Sequence, residues 1–336
     1  MENLLTKTSC SCVNEQLLQN TVLLRRFLRT MLFVRLFEQQ ADLLLQSGEM
    51  HGTLHMCLGE EAAAVGSVLA LESDDYILVT HRGHGQAIAK GCDMTRMFAE
   101  LLGKDGGTCR GRGGSMHIAD LQKGVLAANG IVGANTAIAC GAALSSQMTG
   151  KNNVTVVYLG DGAANQGVVH ESMNLAAAWN LPLVFCIVDN GYGYSTPLAR
   201  VSKETNLARR ATVYGFPALE CDGNDVLTVY ETMRTARAMA QKGAPCAVVL
   251  HTYRTCGHSK SDMLPGAYRT QAEIDAWEAA NPILRLKAFL REQDILSLAE
   301  IEAVHLDCER QVTRALQTAK TMPEPDAVDA TAFVYA

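Results

Sequence analysis

The chain has 336 residues, of which 48% are hydrophobic and 19% charged, and a formal net charge of −6 from 29 Lys and Arg against 35 Asp and Glu. Such usage is globular and excludes disorder as the main state. The acidic balance supplies no global basic field for a phosphate backbone, so nucleic acid is excluded as the main partner. Residues 1–20 carry Glu2, Glu15 and Lys7 with no long apolar stretch, unlike a signal or transit peptide. The longest compact apolar run, 181–188, is far below the roughly 20 residues needed to cross a bilayer, so no membrane is expected. Eleven cysteines occur without a C-x-x-C pair. Only Cys10 and Cys12 lie close together, and the others predict reduced, buried thiols, as at Cys140, Cys186 and Cys246. The compartment expected is the cytoplasm.

In chain order, apolar residues at three- and four-residue steps predict an amphipathic helix over 14–47, stopped by Gly48. A second helical run covers 59–71, and a third covers 93–102, with Asp93 as its N-cap and Gly103 beyond its end. Nearly unbroken apolar runs at 76–79, 154–158, 183–188 and 247–250 read as strands buried on both faces. Helical patterns at 168–179 and 225–241 lie between them, so right-handed crossovers and a parallel sheet follow. The fold class is α/β. Glycines crowd 103–143, which reads as a long ordered loop whose backbone approaches something closely. A mixed-charge helix is expected over 297–320, ahead of the proline-bearing tail at 322–325. No linker, repeat or charge block divides the chain, so we expect an N-terminal tail over 1–20, one domain over 21–320 and a C-terminal tail over 321–336.

The fingerprints of dinucleotide-binding, P-loop, zincin and nucleophile-elbow enzymes are missing. What remains is Gly160-Asp161-Gly162 at the end of one buried strand and Asp189-Asn190-Gly191-Tyr192-Gly193 at the end of the next. Ligands of open α/β sheets bind at that edge. The 29 residues from Asp161 to Asn190 make one crossover, so both loops reach the same rim. A carboxylate, an amide oxygen and a backbone carbonyl form a half-shell for magnesium that also holds phosphate oxygens. Taken alone, Asp161 is equally a turn aspartate between glycines. Arg110 and Arg112 between glycines suit a phosphate, a partner chain or a solvated turn alike. His81 and His84 could begin a zinc site, but no third ligand stands at suitable spacing.

Gly160-Asp161-Gly162 with Asn190 resembles the thiamine diphosphate motif. It is joined, in order, by His81-Arg82-Gly83-His84-Gly85, Gly113-Gly114-Ser115-Met116-His117, Asn129-Gly130-Ile131-Val132-Gly133, Gly162-Ala163-Ala164-Asn165-Gln166-Gly167 and Gly257-His258-Ser259-Lys260-Ser261-Asp262. Together they resemble, over about residues 20–320, the α subunits of the thiamine-dependent component of 2-oxo acid dehydrogenase complexes. The acetoin dehydrogenase branch is the nearer, with pyruvate dehydrogenase α subunits close behind. The resemblance implies a thiamine diphosphate-binding fold, with a mostly parallel sheet flanked by helices on both faces.

The same resemblance implies that Asp161, Asn190 and the Tyr192 carbonyl hold Mg2+. It places Arg82, His81 and His84 at the cofactor, with Gly162 and Ala163 along the diphosphate and the backbone of Gly130 and Val132 on the aminopyrimidine. His55 and His258 would face the substrate or the reactive thiazolium as catalytic groups titrating near neutral pH. An exposed loop histidine without function remains the alternative for His258. The reaction implied is cleavage beside the carbonyl of acetoin or a small 2-oxo acid such as pyruvate. A β subunit completes the site in an α₂β₂ assembly, and a lipoyl acyltransferase accepts the two-carbon unit. A non-catalytic or regulatory chain that kept the fold, and a transketolase-like half-enzyme, are the competing readings. One departure stands out: the family usually shows Asn-Asn where this chain has Asp189-Asn190, and the extra negative charge would either weaken diphosphate binding or demand a hydrogen bond. Ser259 and Ser261 lie where some relatives are phosphorylated.

Overall fold

The structure is a computed structural model, and it describes residues 5–7, 14–260, 262 and 265–331. Seven strands form one sheet: β1 Leu5–Lys7, β2 Tyr76–Thr80, β3 Val125–Asn129, β4 Thr155–Gly160, β5 Leu183–Asp189, β6 Ala218–Asp222 and β7 Cys246–His251. Their order across the sheet is β1-β6-β7-β5-β4-β2-β3, and every pairing is parallel. Side chains alternate between the two faces of a strand. Val156 and Tyr158 of β4, Val184 and Cys186 of β5, and Val248 of β7 therefore enter one core. Their neighbours Val157, Leu159, Phe185, Ile187 and Val249 enter a second core on the opposite face. Two buried faces explain the unbroken apolar runs. The first core is covered by helices Thr21–Gln46, Glu61–Leu69, Val226–Gln241 and Leu298–Lys320, the second by Asn135–Met148 and Gly167–Trp179.

The helix expected over 14–47 is two helices, Glu15–Gln19 and Thr21–Gln46. Asn20 leaves helical geometry at ψ 75° and its side chain accepts from Leu23 N–H, so one residue ends the first helix and caps the second. The helix expected over 59–71 is Glu61–Leu69. Asp93 caps its helix through Thr95 N–H, and Ser297 forms a capping box with Glu300. The glycine-rich stretch is not one loop, because it contains β3 and the helix Asn135–Met148. β3 carries two alanines and owes its place to pairing with β2, while the helix is built of small residues that let it approach Gly167–Trp179 closely.

What the backbone approaches at 105–114 is the carboxylate of Glu100. This side chain is buried, and its Oε2 accepts from the N–H of Cys109 (2.7 Å) and Gly111 (2.9 Å) while Oε1 accepts from Gly113 (2.7 Å) and Gly114 (3.1 Å). A Cβ at Gly107 would lie 2.4 Å from that carboxylate. Glu100→Ala strands four donors, and at 1.5–3 kcal/mol for a hydrogen bond to a charged group it is expected to cost about 3 kcal/mol or more. Urea unfolding measures the loss, and protease cutting within 105–114 reports the loosened loop.

Among the described residues nine cysteines are free, seven of them buried; Cys10 and Cys12 fall outside them. No helix in the described residues is long and apolar enough to cross a membrane.

Candidate active site

The chain leaves β2 for β3 on one side and leaves the adjacent β4 for β5 on the other, so the gap between β2 and β4 is the switch point at which such sheets bind ligands. A cavity of about 480 Å³ opens there. Its walls come from the residues after β2 (His81, Arg82), the end of β3 (Asn129, then Ile131 and Val132), the end of β4 (Gly160, Asp161, Gly162, Ala163), the loop after β5 (Asn190, Tyr192) and Arg254 and His258 after β7. The strand-end loops after β4 and β5 share this cavity, and they touch. A Cβ on Gly162 would sit 3.0 Å from the Cα of Gly193.

Asp161 is 2% exposed, and its Oδ2 is buried with no hydrogen-bond partner. Burial, and then the charge of Asp189, push its carboxyl up to about 7. An ionisable oxygen kept dry and unmatched is the donor that a cation would satisfy. Asn190 donates its Nδ2 hydrogen to Glu60 Oε1 at 2.7 Å, and this bond sets which way the amide oxygen points. The extra acid, Asp189, has the hydrogen bond that its charge demands, since its Oδ2 lies 3.1 Å from Nδ1 of His251.

Arg82 is buried and ties three segments together. Its guanidinium donates to the carbonyls of Met56 and, at 2.9 Å, His258, and its Nε lies 3.9 Å from Glu60 Oε2. The sequence reading missed Arg254. This arginine is wholly buried, donates Nη2 to the Tyr194 carbonyl at 2.9 Å, and leaves Nε and Nη1 without partners against the same cavity. Its sequence signal was a lone arginine just past an apolar strand. Arg269 braces this segment. It donates to the Arg254 carbonyl at 2.7 Å and stacks its guanidinium over Tyr253 and Tyr192 at 4.4 and 4.9 Å.

His55, His81 and His258 meet, with ring centroids 4.5 to 5.3 Å apart. His81 therefore does have further histidines beside it, supplied from distant segments rather than by local spacing, and the ligand atoms of the three lie within 4.8 Å of one another. Burial first, and then the Arg82 charge, hold them down to about 3 for His55, 2 for His81 and 4 for His258. The expectation that His55 and His258 titrate near neutrality is thereby corrected: in this environment they are neutral imidazoles at physiological pH. The same positive field opposes a cation among them.

His84 is not at the cavity. It is fully buried on the helix His84–Lys90, with Nδ1 3.1 Å from Glu38 Oε2 and Nε2 3.1 Å from the Ser115 hydroxyl. Gly130 itself faces Met116, while its neighbours Asn129 and Ile131 line the cavity, and Val132 stands half exposed at its mouth. The Tyr192 hydroxyl is engaged with Glu273 at 2.9 Å.

The dehydrogenase E1 component family model matches residues 29–328. The chain belongs to the dehydrogenase E1 component family. It is 42% identical over 308 residues to the α subunit of acetoin:2,6-dichlorophenolindophenol oxidoreductase of Bacillus subtilis strain 168, covering 91% of each chain. To the α subunit of the enzyme of the same name from Cupriavidus necator it is 38% identical, covering 91% of this chain and 92% of that one. The pyruvate dehydrogenase E1 component α subunit of Rhizobium meliloti strain 1021 is 36% identical over 89% of this chain and 86% of its own. For this E1 chain, membership of the family implies thiamine diphosphate as cofactor.

Proposed function

We propose that this chain is the α subunit of a thiamine diphosphate-dependent oxidoreductase that cleaves acetoin and, with a β subunit, passes the two-carbon unit to a lipoyl acyltransferase. The observation that carries the cofactor site is the unmatched carboxylate of Asp161 in a cavity shared with Asn190, Arg82 and Arg254. The 42% and 38% identities to acetoin enzymes, against 36% to a pyruvate enzyme, favour acetoin. Residues 21–320 would form the body of the working domain, to which the preceding β1 and Leu17 add an edge strand and a core residue, and the free cysteines suit a reducing compartment.

The residues present fit the cofactor. Asp161, Asn190 and the Tyr192 carbonyl offer hard oxygens to Mg2+, while Arg82 and the open N–H groups of Arg254 neutralise the diphosphate. Gly162 and Ala163 bring backbone up to it, and the strand-end contact at Gly193 keeps side chains out of the cradle. The backbone about Gly130 and Val132 would hold the aminopyrimidine. When bound, thiamine diphosphate supplies the electron sink that makes cleavage beside a carbonyl feasible. The neutral imidazoles of His55, His81 and His258 each carry one N–H, so they can donate to an oxygen that gains charge without adding a cation of their own. His81 is thus read as lining the substrate side of the cavity, and His84 as a structural residue.

The test is reconstitution with the β subunit. Mg2+-dependent binding of thiamine diphosphate by calorimetry, and reduction of 2,6-dichlorophenolindophenol with acetoin faster than with pyruvate, are the expected results. An assembly that binds no cofactor supports the regulatory reading instead, and turnover of pyruvate alone reassigns the substrate. The family match favours the dehydrogenase over the transketolase-like alternative.

A further inference from the structure

Three charged side chains at or near the ends of β5, β6 and β7, Asp189, Glu220 and His251, stand outside the cavity lining. Asp189 closes β5 one residue before Asn190, and the register sets it opposite His251 at the end of β7. His251 is in turn opposite Asp222 of β6, and Glu220, two residues earlier, lies on the same face of the pleat. The His251 ring bridges the two acids, with Nδ1 3.1 Å from Asp189 Oδ2 and Nε2 3.5 Å from Glu220 Oε2. An imidazole can donate from both nitrogens only as the cation. The Asp189 hydrogen bond raises the His251 pKa above its ordinary value, against the opposing effect of burial. The nearby acids Asp222 and Asp225 face Arg285 at 2.7 and 3.8 Å, so His251 serves Asp189 and Glu220. The other oxygen of Asp189 accepts from Gly191 N–H at 3.1 Å, in a turn that Gly191 closes at φ +81°. The direction of one carboxylate therefore sets the start of the loop that carries Asn190 and Tyr192.

We propose that His251, backed by Glu220, is a positioning residue for the cation-binding loop: it clamps Asp189 and offsets part of its charge, so that an acid can stand beside Asn190 with less repulsion of the cofactor's diphosphate. The proposal rests on the cofactor reading above. A magnesium ion leaves a diphosphate with residual negative charge, so an uncompensated Asp189 opposes their binding together. Loss of the clamp also frees the carboxylate to leave the Gly191 turn. An amide at position 189 would need no counter-charge, and this makes the dependence on His251 conditional on the residue at 189.

The experiment is calorimetric titration of thiamine diphosphate, at saturating Mg2+, into the α chain assembled with its β subunit. It compares wild type, His251→Gln, Asp189→Asn and the double variant, with thermal unfolding of each as a check on assembly. His251→Gln is expected to weaken binding about tenfold, as loss of a residue that orients a metal ligand does. The double variant is expected within about twofold of Asp189→Asn alone, as an uncoupled second change would be. Glu220→Gln, which keeps the clamp but removes its support, weakens binding in the same direction by about twofold and serves if His251→Gln does not assemble. Rescue by Asp189→Asn separates positioning from a general structural role, which would weaken both backgrounds alike. Wild-type affinity in His251→Gln, or a double variant as weak as His251→Gln, overturns the proposal. A wild type that binds no cofactor overturns the cofactor reading and the proposal with it, a result distinct from either.

Discussion

Asp161→Asn is expected to stabilise the chain in the absence of cation while weakening its hold on the cofactor at least about 100-fold. The carboxyl is pushed from 3.8 up to about 7, chiefly by burial and then by Asp189. The folded state therefore binds this proton more tightly than the unfolded state does. Stability is fullest below about pH 4, falls as pH rises toward 7, and stays low above it. A shift of about three pH units corresponds to a cost of up to about 4 kcal/mol at pH 8. The asparagine variant removes that cost, so in EDTA at pH 8 its melting temperature is expected to exceed wild type, and the two to converge near pH 4. With Mg2+ and thiamine diphosphate the order reverses. Wild type gains stability by mass action, whereas the variant, short of one anionic ligand, binds at least about 100-fold more weakly and gains little. A variant no more stable than wild type in EDTA would show that the carboxylate is not held under strain. A variant that still binds the cofactor would remove Asp161 from the cation site.

The same residue shows where the sequence was legible. β4 and β5 are buried on both faces, so their apolar runs stand out, and the loop after each is fixed by where the run stops. Asp161 and Asn190 could therefore be paired by counting one crossover. Asp93 was readable as a cap because its side chain does a local task, whereas the capping box of Ser297 with Glu300 emerged only in the structure. β3 and the helix Asn135–Met148 were hidden because alanine, glycine and serine carry little periodic signal, and both are held in place by their neighbours. Arg254 was hidden for another reason. A guanidinium on a strand exit reads as solvated until the fold buries it. His55, His81 and His258 come from distant segments, and neither their meeting nor the charges that keep them neutral are local properties. His84, two residues past Arg82, was drawn toward the cofactor by its motif, whereas the first turn of its helix directs it into the core.

His84→Leu is expected to lower unfolding free energy by about 3–5 kcal/mol, the cost of leaving a buried charge without its partner. Glu38 is wholly buried on the helix Thr21–Gln46. Burial alone would raise its pKa, but the facing His84 ring and the donors of Cys57 outweigh it, and the carboxyl lies below its ordinary value. Its Oε1 accepts from Cys57 N–H and faces Cys57 Sγ, each at 3.1 Å, and its Oε2 faces His84 Nδ1. Removing the ring strips Oε2 of its contact, takes away the edge-on packing of His84 against Phe37, and leaves the charge in the core. Since the folded pKa is depressed, the carboxylate contributes stability above the ordinary glutamate range and loses it as pH falls through the folded value. Wild type is therefore expected to lose stability on acidification more steeply than a Glu38→Gln, His84→Leu double variant, which carries no charge at the site. Urea titrations of the two single variants and the double give the coupling directly. A large positive coupling, with the double more stable than His84→Leu alone, is the result expected of a buried pair. Additive losses would mean that His84 acts through its contacts with Ser115 rather than through Glu38.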